Sequence, residues 1–297
     1  MSTIAIILFI TQAMIMLSLG LGLEVQDFKN VARRWKVFLT AASLQVIALP
    51  AVAFGIATIF NFSPLFSAGL MLLALCPGGV SSNVISKLSY GDVALSVSLT
   101  GVLSVFTFIS IPPLAALFIS YFVGGEIGDF SMLDLMKTTF MIATGPVITG
   151  VLLRHFWSTF AIKIEPFMDK IAVTLWTLIV IAAFYSLREP LVENFKHIGL
   201  GLLVLPIVMM LIGLLVSRIM NMSERESKTV GIELTIQNSP MALALAAVIS
   251  GGGLEVTELA IPAAVYSATM YLVAVPCIFI FRSLAKDKGV VGLSAAS

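Results

Sequence analysis

The strongest chemical signal in the chain is Glu233, the only charged residue well inside the long apolar stretches, in the segment GIELTIQNSPMALAL. A carboxylate held at mid-depth in a membrane costs several kcal/mol unless a cation or a proton neutralises it. Away from its ends, no apolar stretch supplies a Lys or Arg. The sequence therefore calls for a cation that it does not encode, either a proton or a metal ion. The neighbouring residue types favour a metal ion, because hard cations take several oxygen ligands, charged or neutral. Gln237 lies four residues after Glu233 and shares its helix face, as Ser96 and Thr100 share one face of another helix. Ser82 and Asn83 close the stretch CPGGVSSN, residues 76–83, and Gln45 is the one amide in its apolar segment. Taken singly, a membrane Ser or Thr usually bonds to its own preceding turn. Spacing alone does not bring these groups together, and the competing reading leaves Glu233 solvated near the surface, five residues after Lys228.

The elements that would position these groups are two interrupted helices. Pro77, Gly78 and Gly79 interrupt one apolar segment, and Gln237, Asn238, Ser239 and Pro240 interrupt another. Freed backbone groups are costly in hydrocarbon, so such breaks persist where they face protein, water or a ligand. A lone proline in a membrane helix is an ordinary kink, and Pro50, Pro146, Pro206 and Pro276 are read that way. Proline joined to a polar cluster in two places is not.

Composition sets the frame: 59% hydrophobic and 11% charged residues in 297 indicate a polytopic membrane protein, and a net charge of +1 gives no reason to expect nucleic acid. Cys76 and Cys277 both lie in apolar segments and suggest neither a disulfide framework nor a metal site. The first apolar run, MSTIAIILFITQAMIMLSLGLGL, reads as a retained span and not a signal peptide. At about 20 residues per crossing, nine transmembrane helices are expected, near 3–22, 37–60, 65–86, 92–121, 136–153, 168–187, 197–217, 229–250 and 257–281. On alternate sides of these spans, 14 Lys and Arg face three, Lys137, Arg188 and Lys196. The basic side is cytoplasmic by the positive-inside rule, so the amino terminus is expected outside and the carboxyl terminus in the cytoplasm. The two broken helices, third and eighth, then run in opposite directions. Inverted-repeat transporters are built that way, with the site at the breaks.

Three separated motifs, GLGLEVQDF (residues 20–28), CPGGVSSNVIS followed by GDVALSVSLT, and IELTIQNSPMALALAA, resemble those of the bile acid:sodium symporter family over nearly the whole chain. The resemblance implies two Na+ sites flanking the crossing of the two broken helices. The first would use Ser82, Asn83, Ser96, Thr100 and Glu233. The second would use Gln45, Glu233 and Gln237, with backbone carbonyls of Leu234 and Ile236. It also implies one membrane domain over 1–297, with a core at about 37–121 and 197–283 against a panel at about 1–36 and 135–190. Many relatives have ten helices; this chain begins where their second begins, so the panel is expected to be reduced to three.

Two cations on one carboxylate leave net positive charge, and half-helices beginning near Val80 and Ser239 would aim their positive ends at the crossing. The expectation is sodium-coupled uptake of an organic anion by alternating access across an inner membrane. The anion would be bile-acid-like or a small carboxylate such as pantoate or pyruvate. Its acid group would meet the backbone of Gly79, Val80 and Ser81 and the side chains of Asn238 and Ser239. Tyr266, Ser267 and Thr269 would line the cavity or serve helix packing. The alternatives are a proton-coupled or sodium-independent carrier of the same fold, and an arsenite-type efflux carrier suggested by Cys76. An enzyme is not expected: His155 and His197 sit at span ends, and no HExxH, GxSG or second intramembrane acid is present.

Overall fold

The computed structural model of the chain describes residues 3–124, 131–186, 198–250 and 258–287. Of the residues named above, Arg188, Lys196 and His197 lie outside these. Among the described residues all regular structure is helical. α1 (Thr3–Leu21) is apolar along its length, and α2 (Val25–Arg33) turns away from it by 74°. Glu24 starts α2 through a capping box with Asp27. α3 (Trp35–Ile59) contains one π-helical turn, Leu44–Ala48, just ahead of Pro50. The proline has no N–H to continue the ladder, and the wide turn absorbs the mismatch.

α4 (Pro64–Leu75) and α5 (Val80–Leu88) meet at a 64° bend over Cys76 to Gly79. α6 (Val93–Val123) starts on Asp92, whose carboxylate accepts from the Leu95 N–H at 3.0 Å. α7 (Met132–Phe156), α8 (Ser158–Ser186) and α9 (Leu200–Ile219) follow. α10 (Glu224–Thr235) begins with a capping box between Ser223 and Glu226, and α11 (Ser239–Ile249) begins after the second break. α12 (Ile261–Asp287) ends the described chain.

Among the described residues, six helices are long and apolar enough to cross a membrane, and eight if each bent pair, at α1–α2 and at α4–α5, counts as one span. The protein is therefore a multi-pass membrane protein. α8 covers the sixth apolar segment without being among those eight. The α10–α11 stretch is buried over most of its length, unlike the five other single helices that pass this test among the described residues.

α1 packs against α7 and α8, α4 against α6, and α9 against α10. Close approach in hydrocarbon depends on small residues. A Cβ on Gly20 would lie 2.3 Å from the Val147 carbonyl oxygen, and one on Gly150 would lie 2.5 Å from that of Leu17. The α1–α7 contact is thus backbone against backbone.

On the basic side, Arg34 bonds both Asp92 and Glu226, tying the end of α2 to the starts of α6 and α10. A second network joins Arg154 of α7 to Glu24 at 2.8 Å and Glu165 at 3.3 Å.

Candidate functional site

The two breaks meet. The N–H of Asn238 donates to the carbonyl of Pro77 at 2.9 Å, so one interrupted helix satisfies a backbone group freed by the other. Around this junction the candidate residues gather into two connected sets.

In the first set, three hydroxyls converge on one carboxylate. Ser82 Oγ donates to Glu233 Oε1 at 2.8 Å, Ser96 Oγ donates to the same oxygen, and Thr100 Oγ1 donates to Oε2 at 3.0 Å. Ser96 Oγ also bonds Asn83 Oδ1 at 2.8 Å. Ser82, Asn83, Ser96, Thr100 and Glu233 are all buried. They come from α5, α6 and α10, and the bonds to Glu233 from Ser82 and Thr100 span 151 and 133 residues. Gly78 closes the set from the break: a Cβ there would lie 2.5 Å from Glu233 Oε2 and 3.2 Å from Thr100 Oγ1.

In the second set, Gln45 Nε2 donates to Gln237 Oε1 at 2.6 Å and to the Cys76 carbonyl at 3.2 Å. Gln237 Nε2 donates back to the carbonyls of Leu234 at 2.9 Å and Glu233 at 3.3 Å. Ile236 is buried where α10 ends, its N–H still bonded to the Ile232 carbonyl at 2.9 Å. Glu233 thus joins the two sets, by its side chain in one and its carbonyl in the other. The donor atoms are one carboxylate, side-chain amide and hydroxyl oxygens, and backbone carbonyls, a set suited to hard cations. Among the described residues, no group of three or more His, Cys, Asp or Glu could hold a metal ion. Zinc-like chemistry accordingly has no such ligand set there. Cys76 is buried with its Sγ directed to the Leu72 carbonyl at 3.3 Å, away from the Glu233 set.

Beside the junction lies a cavity of about 550 Å³ with a mostly apolar lining. Gly79, Val80, Ser81 and Asn238 line it, as four of the five expected anion contacts. Ser239 is not among its lining residues; its hydroxyl is buried without a hydrogen-bond partner among the described residues. The Asn238 side chain is partly engaged, since its Oδ1 caps α11 by accepting from the Met241 N–H at 3.1 Å. Ser267 lines the cavity, whereas Tyr266 and Thr269 serve packing, bonding the carbonyls of Thr235 at 2.8 Å and Leu202 at 2.9 Å.

A family model for the sodium bile acid symporters matches residues 7–194, more than half of the chain. The chain belongs to the sodium bile acid symporter family. That family is one of transporters, not enzymes. Among its relatives, the probable sodium/metabolite cotransporter BASS1, chloroplastic, of Arabidopsis thaliana is 29% identical over 252 residues. That match covers 85% of this chain and 61% of the relative. The uncharacterized sodium-dependent transporter YocS of Bacillus subtilis (strain 168) is 29% identical over 239 residues, 78% of this chain and 71% of YocS. The ileal sodium/bile acid cotransporter of Homo sapiens is 24% identical over 240 residues, 79% of this chain and 67% of the relative.

Several lining residues of the family member's cavity carry no motif. Asp169, Val173 and Thr177 of α8 form one face of the cavity, and Ile15 reaches it from α1. The spacing of 169, 173 and 177 at helical intervals was the available signal, but only the fold shows which way that face points.

Proposed function

We propose that this chain is a sodium-coupled symporter that takes up an organic anion by alternating access. The observation that carries the reading is the convergence of Ser82, Ser96 and Thr100 on the single buried carboxylate of Glu233. Buried polar groups at this density are costly unless fully satisfied. A cation among them would turn the hydroxyl lone pairs inward and neutralise the carboxylate. In this reading the first Na+ is held by Ser82, Asn83, Ser96, Thr100 and Glu233. The second is held by Gln45, Glu233 and Gln237, with the backbone carbonyls of Leu234 and Ile236. Support comes from the hydrogen bonds that already join these residues and from relatives described as sodium-dependent cotransporters.

Two Na+ ions and one carboxylate leave a net positive charge next to the cavity. α5 begins at Val80 and α11 at Ser239, and each contributes roughly half a positive charge at its first turn. Filling the sodium sites and binding an anion therefore favour one another, which is the coupling a symporter requires. The acid group of the substrate would meet the amides of Gly79, Val80 and Ser81 together with Asn238. We take the substrate to be bile-acid-like or a small carboxylate, since about 550 Å³ is within the usual range for small-molecule sites.

For the architecture, we read the part of α8 from residue 168 onward as the ninth span beside the eight that pass by length and apolarity. α1, α2, α7 and α8 would form the panel, and the remaining helices a core that moves against it. The carboxyl terminus would face the cytoplasm and the membrane would be an inner membrane.

Uptake by purified protein in liposomes tests the proposal. A panel of organic anions should include at least one that is concentrated under an inward sodium gradient and not in its absence. Uptake driven equally by a proton gradient in sodium-free buffer would overturn sodium coupling.

A further inference from the structure

The cavity walls differ in charge. One wall is the first turn of α5 with Asn238 of the second break; the other is α8, led by Asp169. Among the described residues that line the cavity, Asp169 alone has a formal charge, and neither Lys nor Arg is present. A cavity that receives an anion thus holds a fixed carboxylate and no side-chain cation. Arg154, at the end of α7, is engaged by Glu24 and Glu165. Ser18 Oγ of α1 donates to Asp169 Oδ1 and holds the carboxylate in place. A carboxylate accepts about four hydrogen bonds, so Asp169 keeps acceptor capacity toward the cavity.

We propose that Asp169 determines substrate class: the cavity takes monoanions that carry a hydrogen-bond donor at the end remote from their acid group, and rejects dianions. The inference rests on the reading of the chain as a sodium-coupled organic anion symporter. The acid group goes to the positive first turn of α5, where Gly79, Val80 and Ser81 line the cavity beside Asn238. The opposite end of the molecule then meets Asp169. A hydroxyl or amide N–H there gains a charge-assisted hydrogen bond. A second carboxylate meets a like charge across a mostly apolar lining. Specificity of this kind comes as much from the repelled ligand as from the accepted one. The rest of the α8 face, Ala172, Val173 and Ile181, offers only apolar contact, and Thr177 Oγ1 is turned to its own helix at the Val173 carbonyl, 2.8 Å away.

The test is thermal stabilisation of the full-length protein in sodium by three sets of probes. These are ω-hydroxybutyrate and ω-hydroxyhexanoate, the plain acids butyrate and hexanoate, and the dicarboxylates succinate and adipate. In the wild type the hydroxy acids should bind most tightly, the plain acids less so, and the dicarboxylates least. Asp169→Asn keeps an acceptor for Ser18 and should raise apparent affinity for the dicarboxylates at least tenfold. Asp169→Glu, which keeps the charge, should still reject them. The stabilisation of Asp169→Asn by sodium alone should match that of the wild type and so report an intact fold. Equal acceptance of succinate and ω-hydroxybutyrate by the wild type, or an unchanged order in Asp169→Asn, would overturn the inference. So would a wild type that binds other organic anions in sodium but none of the hydroxy acids, with the symporter reading left standing. If no organic anion stabilises the protein in sodium, the symporter reading itself fails.

Discussion

Gly78 and Glu233 are so close that a Cβ on the glycine would stand 2.5 Å from the carboxylate Oε2. A free glutamate would swing aside, but this one is buried and held by three hydroxyls. Gly78→Ala should therefore force the carboxylate out of its hydrogen bonds. We expect at least a tenfold loss in the sodium concentration dependence of transport, with helix content by circular dichroism unchanged. An unaltered sodium response would show that the space beside Glu233 is not used.

The amide pair Gln45 and Gln237 offers a second test. Gln45→Ala leaves Gln237 Oε1 and the Cys76 carbonyl without a donor they now have. Orphaning buried acceptors costs about 1–3 kcal/mol. In a double-mutant cycle with Gln237→Ala, followed by thermal unfolding in detergent, the two losses should be strongly non-additive. Strict additivity would mean that the 2.6 Å bond contributes nothing to the fold.

Where the breaks fall was readable from residue chemistry. α5 begins at Val80 and α11 at Ser239, where Pro77 with its glycines and Pro240 with its polar neighbours put the half-helix starts. Proline and glycine act locally, so one segment suffices to read them. The meeting of Ser96 and Thr100 with Glu233, across more than 130 residues, is tertiary. Only the family resemblance joined those groups in the sequence. Three features needed the fold: the π-helical turn that carries Gln45, the approach of Gly78 to the carboxylate, and the direction in which the 169, 173 and 177 face of α8 points. Each depends on how a neighbouring helix packs. Ser239 shows the same limit, since standing at a helix start does not decide where its hydroxyl points.

Packing of α1 on α7 supplies a third prediction. Any side chain on Gly20 meets the Val147 carbonyl at 2.3 Å, a backbone atom that cannot step aside alone. Gly20→Ala should cost about 1–3 kcal/mol through overpacking, read as a lower midpoint of thermal unfolding. Gly150→Val, facing the Leu17 carbonyl at 2.5 Å, should reduce the yield of folded protein further. A wild-type midpoint in both variants would contradict the backbone contact.

Glu165, half-buried in the network with Arg154, predicts a pH dependence. Burial raises its carboxyl above 4.5, Arg154 partly offsets this, and the Asp169 and Glu24 carboxylates add to the rise. The folded state then holds this proton more tightly than the unfolded chain. Its contribution to stability is fullest below pH 4.5 and is lost as the pH climbs through the raised value. Glu165→Gln should lack that decline, so the gap between variant and wild-type unfolding midpoints should widen in the variant's favour from pH 4.5 upward. Parallel profiles would refute the shift.

The decisive measurement is a cation titration of thermal stability, with sodium and then potassium, on the wild type and on Glu233→Gln. The glutamine keeps the shape of Glu233 but removes the charge that three hydroxyls surround and turns one of its two acceptor oxygens into a donor. Binding to the native state raises its stability in proportion to the logarithm of ligand concentration. The wild-type midpoint should therefore rise steadily with sodium and barely respond to potassium, while Glu233→Gln stays flat in both. A variant that responds to sodium as the wild type does would contradict a sodium site built on Glu233.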